Sequence, residues 1–233
     1  MVSTQGFQRA RRPEQIEARR CAILDAARAL LGSKPVADIS LRELSDSIGL
    51  AKSNVLRYFD SREAIFLEVL DENWVSWLDA VENAPTAVDS DAPYAAEIQV
   101  ATQLAESLVE RRLLCELVSV MAGVLERNIS VDFARDFKSR AVANVDRSAA
   151  LIRSRIPALS EADARQVASS IMMLVAGLWP HAEPAAAVAT VQEEMGSAPA
   201  ADVFASILRE SLINQVVGAS VRASLRSGAE SGR

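Results

Sequence analysis

Lys52, Ser53, Asn54, Arg57 and Tyr58 place two cations, a hydroxyl, a carboxamide and a phenol within one short stretch. These side chains suit hydrogen bonds to base edges and contacts to phosphate oxygens. On a helix, Lys52, Ser53 and Asn54 would form the first turn, the part of a recognition helix that enters the major groove. The same residues also suit the solvated face of any helical domain, so spacing alone leaves both readings open.

The elements that must position them lie on either side. Ser40 is a good helix N-cap with Glu43 three residues on, the pattern of a capping box. Leu41, Leu44 and Ile48 then recur at helical spacing. Gly49 follows, where a helix ends and the chain needs positive φ. A second short helix is expected over 51–58, with Val55 and Phe59 facing inward. Asp60 or Ser61 starts a third, and Asp60 with Glu63 makes a second possible capping box. Two short helices joined by a glycine turn form a helix-turn-helix.

The run Ile23–Leu67 resembles the N-terminal domain of the TetR (tetracycline repressor) family of transcriptional regulators. The matching residues are Ile23 to Ala27 with Leu30, Ser40 to Leu44, Gly49-Leu50, and Tyr58 to Ile65. The resemblance implies an all-α chain: a three-helix DNA-binding domain with a helix-turn-helix, then a larger C-terminal helical domain for ligand binding and dimerisation. It implies that Lys52, Ser53 and Asn54 read bases, and that Arg42, on the helix before the turn, sits where the family reaches DNA. Arg57 and Tyr58 continue the recognition helix. Arg62 replaces the family's usual Lys near the DNA backbone and keeps its charge. Two departures stand out. Leu56 occupies a position usually aromatic, removing a phosphate-contacting hydroxyl. Ala51 stands where the family often has Ser or Thr, so the recognition helix is weakly capped.

Composition agrees with a helical regulator. Half of the 233 residues are hydrophobic, enough for a substantial core, and Gly and Pro number only 9 and 8. The net charge of −6 argues superficially against a nucleic-acid partner. Its distribution argues for one: residues 1–62 hold 11 Lys/Arg against 7 Asp/Glu, a balance of +4, whereas 63–233 hold 14 against 24, a balance of −10. A basic module on an acidic body is the asymmetry expected when one end meets phosphate. No run of 18 uninterrupted apolar residues and no apolar signal core occurs, so a cytoplasmic protein without membrane contact is expected. Cys21 and Cys115 are then expected as buried free thiols, with a redox pair as the alternative.

Along the chain, residues 1–13 read as a flexible basic arm bearing Arg9, Arg11 and Arg12, which either stays solvated or follows the DNA. Residues 14–62 are the expected DNA-binding domain, with helix one from Pro13 to Leu31 carrying Ile16, Ile23, Ala26, Ala27 and Leu30 inward and Arg19, Arg20 and Arg28 outward. Residues 63–226 are the expected ligand-binding and dimerisation domain, and 227–233 a flexible tail. Helix four, 61–83, belongs to both domains and is the candidate for passing a signal. A Pro- and Asp-rich loop covers 84–93. Helices are expected over 94–110, 112–127, 131–155, 161–178 and 200–225, with a short one near 185–195.

An enzyme is not expected, and neither a catalytic residue, a metal site nor a cofactor is assigned. His181 is the sole histidine, and the chain has no nucleophile elbow, Gly-rich phosphate loop or Cys-x-x-Cys. Within the C-terminal domain implied by the resemblance, Met121, Phe133, Phe137, Met172, Met173 and Trp179 are candidates to line a ligand pocket, being large and adaptable; the alternative is plain core. The last two long helices are the family's usual dimer contributors, and Ala200, Ala201, Ala205, Gly218 and Ala219 would allow close packing there. The expected function is a ligand-responsive repressor that binds a palindromic operator in double-stranded DNA as a homodimer and is released by a small apolar or amphipathic effector. The alternative is a helical small-molecule-binding or interaction protein that has lost DNA binding.

Overall fold

A computed structural model describes residues 13–85 and 92–231, with side chains through 226. The described residues form ten α-helices, two 3₁₀ turns and no strand. Residues 1–12 of the expected arm at 1–13, most of the loop over 84–93 and the last two residues lie outside them, and Pro13 of that arm instead opens the first helix.

Three helices make the head: α1 (Pro13–Leu31), α2 (Leu41–Ser47) and α3 (Lys52–Val55). Ser40 caps α2, its Oγ accepting the Glu43 amide at 3.1 Å. The return half of the expected capping box is replaced, because the Glu43 carboxylate pairs instead with Lys34. Gly49 adopts φ +63°, which glycine reaches without strain. The α3 segment is shorter than its expected 51–58: after Val55 the turn tightens, and the amides of Arg57 and Tyr58 reach back three residues to Asn54 and Val55. Val55 and Phe59 nevertheless face inward, both buried, against Ile23, Ala27, Leu31, Ile39 and Leu44. Ile16 departs from the expected inner stripe and is 38% exposed. Nor do two arginines of α1 simply face out. Arg20 lies 4.4 Å from the centre of the Phe59 ring and donates to the Tyr58 carbonyl, and Arg28 joins Glu72 at 2.8 Å.

Helix α4 (Arg62–Glu82) runs from the head into the body. Ser61, not Asp60, is its cap, accepting the Ala64 amide at 3.0 Å. Asp60 instead accepts a hydrogen bond from Ser130 Oγ. Ile65, Phe66, Val69, Leu70, Trp74, Trp77 and Leu78 are all buried along one broad face. The body surrounds α4 with α5 (Ala95–Val109), α6 (Arg112–Met121), α7 (Val131–Arg155), α8 (Glu161–Ala182), α9 (Ala186–Glu194) and α10 (Ala200–Ser231).

Three body helices differ from expectation. α6 stops at Met121 rather than 127, because Gly123 is a poor helix former and the chain turns through a 3₁₀ segment, Leu125–Arg127, before α7. α8 continues through Pro180 to Ala182. Proline sits in its last turn, where only one backbone bond is lost. Trp179 packs edge-on against Phe204 of α10 at 5.2 Å, and that contact holds the turn in place. α10 extends to Ser231, over most of the expected tail. Its buried stripe, Phe204, Leu208, Leu212, Val216 and Ala219, faces α5 and α8, while the apolar Val203 and Ile207 remain 40% and 45% exposed.

A charged seam joins α4 to α7. Arg140 pairs with Glu68 at 3.0 Å and Asp71 at 3.1 Å, Asn144 donates to Asp71, and Arg147 forks across Asp79 and Glu82. Burial pushes the Asp71 carboxyl above its ordinary value, against the opposing pull of Arg140 and Asn144. Hydrogen bonding from Arg147 holds Glu82 below its ordinary value. Among the described residues, no single helix is long and apolar enough to cross a membrane; only α8 and α9 together, bent by 75°, meet that length and composition.

Candidate nucleic-acid interface

The buried pair Val55 and Phe59 fixes how α3 sits, and so decides which side chains point away. Lys52, Ser53, Asn54 and Arg57 are exposed, and none of these side chains is bonded to another of the described residues. Two uncommitted cations, a hydroxyl and an amide therefore share one solvated surface, ready for phosphate oxygens and base edges. Ala51 offers no side-chain cap, and Leu56 stands 44% exposed beside Arg57. Both departures from the family pattern thus lie on the outward surface and leave the packing of the head intact.

The other three candidates are placed differently. Arg42 on α2 is exposed: among the described residues its one ion pair, to Asp46, spans 3.7 Å between two highly exposed side chains. Such a pair contributes little. Tyr58 is half-buried and lines a hollow against α1 with Ile16, Arg19 and Ala22. Arg62 is turned into the protein. Its Nη1 donates to the Ile39 carbonyl at 2.6 Å, and its Nε and Nη2 donate to Glu63 at 3.0 and 2.8 Å. Its guanidinium also lies 5.6 Å from the Phe66 ring centre. Arg62 therefore ties the turn before α2 to the first turn of α4, and the charge that suggested a backbone contact is largely committed. Sequence spacing missed this, because the acceptor, the Ile39 carbonyl, is 23 residues away.

The head touches the body through polar contacts that sequence reasoning also missed. The Val36 amide donates to Glu116 of α6 at 3.2 Å. Asn128, just before α7, donates to buried Glu63 at 3.3 Å, and Ser130, the α7 N-cap, meets Asp60. Burial raises Glu116 above its ordinary value, while the Val36 amide acts to lower it. No local pattern announces these pairs, which join residues 65 to 80 positions apart.

In the body, a cavity of about 490 Å³ opens between α6, α7 and α8, with Trp74 of α4 in its wall. Three of the six pocket candidates line it: Met121, Met172 and Met173. The aromatic three do not. Phe137 is fully buried and stacks with Phe133 at 6.5 Å, and Trp179 is covered by Phe204. Their large apolar surfaces are held by core contacts. Trp74, Lys138 and Arg165 line the cavity instead and were not anticipated. Both cysteines are free thiols, but only Cys115 is buried as expected; Cys21 lies on the outer side of α1 and is exposed.

Residues 23–69 match the family described as bacterial regulatory proteins, tetR family. Residues 71–223 match the tetracyclin repressor-like C-terminal domain. Over 53 residues the chain is 42% identical to the HTH-type transcriptional regulator EthR of Mycobacterium tuberculosis, a match covering 23% of this chain and 24% of that protein. The matched segment thus spans about a quarter of that relative's length, and the EthR of Mycobacterium bovis matches to the same extent. Among solved structures, the chain is similar to a TetR-family transcriptional regulator from Mesorhizobium loti, with 15% identity, a TM-score of 0.48, and coverage of 90% of this chain and 96% of that one. A transcriptional regulator from Streptomyces coelicolor gives 17% identity, a TM-score of 0.47, and coverage of 87% and 97%.

Proposed function

This chain belongs to the TetR family of transcriptional regulators, and we propose that it is a repressor that grips a palindromic operator as a homodimer and lets go when a small effector binds. The observation that carries the proposal is the outward surface of α3, where Lys52, Ser53, Asn54 and Arg57 are exposed and uncommitted on a helix held by Val55 and Phe59. Those four, with Tyr58 and exposed Arg42, form the DNA-contacting set. Arg62 positions the helix-turn-helix. With DNA as partner, the protein works in the cytoplasm.

We divide the chain at the start of α4, with residues 14–62 as the DNA-binding unit and 63–226 as the effector and dimer unit. The two family matches meet slightly later, between 69 and 71, also within α4. One helix-turn-helix covers too little of the groove for specific affinity, and two copies about 34–36 Å apart read a palindrome. The exposed apolar Val203 and Ile207 on α10, beside α8, support a dimer face there. Of the small residues considered for close packing, Ala219 instead faces the chain's own core. Light scattering at micromolar concentration should give a dimer.

Release follows from how the cavity is tied to the head. α6 carries Val118, Ser119 and Met121 into the cavity wall and Glu116 onto the Val36 amide. α7 carries Lys138 into the wall and begins at Ser130 beside Asp60. α4 carries Trp74 into the wall and Arg62 into the head. An effector that spreads these three helices would tilt the head and alter the spacing of the two α3 helices. It does so only through its difference in affinity for the two arrangements.

Selection of bound fragments from random duplex DNA tests the reading. An enriched inverted repeat is expected. A folded dimer that enriches nothing would favour the second reading, a helical binder without DNA activity, which uncapped Ala51 and aliphatic Leu56 keep open.

A further inference from the structure

We propose that the cavity between α6, α7 and α8 takes an apolar acid: a hydrocarbon body carrying one anionic oxygen group. The inference rests on the reading that the body binds a small effector, and it adds the effector's chemistry.

The first support is an orphaned donor. Trp74 is 5% exposed and lines the cavity, and its Nε1–H has no acceptor among the described residues. Buried donors almost always find partners, and leaving one unmatched is costly. Trp77, three residues along the same helix, shows the ordinary arrangement: its Nε1 donates to Ser107 Oγ at 2.9 Å. An oxygen on a bound molecule would do for Trp74 what Ser107 does for Trp77.

The second support is the sign of the wall. Its two charged residues are both cations, Lys138 and Arg165, and no carboxylate lines the cavity. Each cation has a carboxylate outside the wall, Lys138 with Glu126 at 2.6 Å and Arg165 with Asp146. An ammonium has three donors and a guanidinium five, so these pairings leave N–H groups over. Ser119 and Ser169 donate their protons to the Glu116 and Arg165 carbonyls and offer only acceptor oxygens. A cationic ligand would have to approach Lys138 and Arg165; an anion is drawn to both.

The third support is the remainder of the lining. Met121, Met172 and Met173, with Val118, Val142 and Val145, make a flexible apolar wall. A volume of about 490 Å³ lies within the range of small-molecule sites. Met173, 73% exposed, stands at the mouth.

The test is calorimetric titration of the full-length protein with decanoate and with decylamine, which share a chain length and differ in the sign of the head group. Decanoate should bind and decylamine should not. Trp74→Phe keeps a ring and deletes the N–H; it should weaken decanoate about two- to tenfold, the worth of one hydrogen bond, with thermal melting confirming the fold. Met173→Glu changes an exposed side chain, so folding is untouched; it should weaken decanoate and admit decylamine. Equal binding of the two probes, no binding of decanoate, or a decanoate affinity that neither substitution alters would overturn the proposal. DNA binding by the unliganded protein, measured on the same preparation by anisotropy, reports separately on the regulator reading, and its failure would leave the calorimetric result standing.

Discussion

The outward surface of α3 and the cavity between α6, α7 and α8 both keep polar groups without partners among the described residues, and they do so in opposite ways. On α3, Lys52, Ser53, Asn54 and Arg57 are exposed, so water satisfies them until another surface replaces it. In the cavity, Trp74 is buried and its N–H is satisfied by none of the described residues. A solvated group held in readiness costs the fold almost nothing, whereas a buried one is a standing cost met by the packing around it. Affinity and stability should therefore be separable on α3 and entangled at the cavity.

The largest expected effect is at the cavity wall. Trp74→Ala should lower unfolding free energy by about 3–5 kcal/mol, the range for removing a large buried aromatic. Urea denaturation measures it, and a loss below about 1 kcal/mol would show a wall loose enough to collapse and would break the contrast. On α3, Arg57→Ala or Lys52→Ala should each weaken DNA binding by about 1–3 kcal/mol if it reads a base, while a phosphate contact would weaken all sequences alike. Both should leave stability within about 0.5 kcal/mol. Unchanged DNA affinity in both variants would remove the assignment of the interface. Ala51→Ser supplies the missing cap and should raise stability by about 1 kcal/mol, detectable as a higher melting temperature.

The smallest effect lies between the two regions, in the seam of α4 and α7. Glu82 is held below its ordinary value by Arg147, so its contribution is present above the ordinary carboxylate range and is lost as pH falls through its depressed value. Asp71 is raised by burial and works in the other direction: its contribution is present at low pH and is lost as pH rises through its elevated value. Arg147→Gln should therefore flatten the acid limb of a stability–pH profile, and Asp71→Asn should gain on the wild type as pH rises from acid towards neutral. Parallel profiles for wild type and both variants would show that the seam contributes no pH dependence.

The head was largely legible in the sequence because its information is local. Ser40 caps the amide three residues on, Gly49 takes the positive φ its place requires, and Val55 and Phe59 share a face by helical period. α4 was legible for the same reason, through its long apolar face. Boundaries failed where distant contacts outweighed local preference, as at Pro180, which the Trp179–Phe204 contact keeps within a helix. The pocket was half legible. Adaptability picked out Met121, Met172 and Met173, but the same criterion chose Phe137 and Trp179, which the core absorbs. A residue's type states what it is able to do, and only its neighbours decide whether it is occupied.

The sequence by itself determined the helical class, the helix-turn-helix and the residues on the outer surface of α3, each of which depends on periodicity, capping or spacing over a few turns; the family came from the resemblance of residues 23–67. The tertiary structure alone decided that Arg62 serves the fold, that Trp74 is left without an acceptor, and that Glu116, Asn128 and Ser130 fasten the body to the head. Those outcomes turn on side chains from helices far apart in the chain meeting within hydrogen-bond distance. A difference of an ångström there separates a satisfied donor from an orphan, and no local pattern carries that distance.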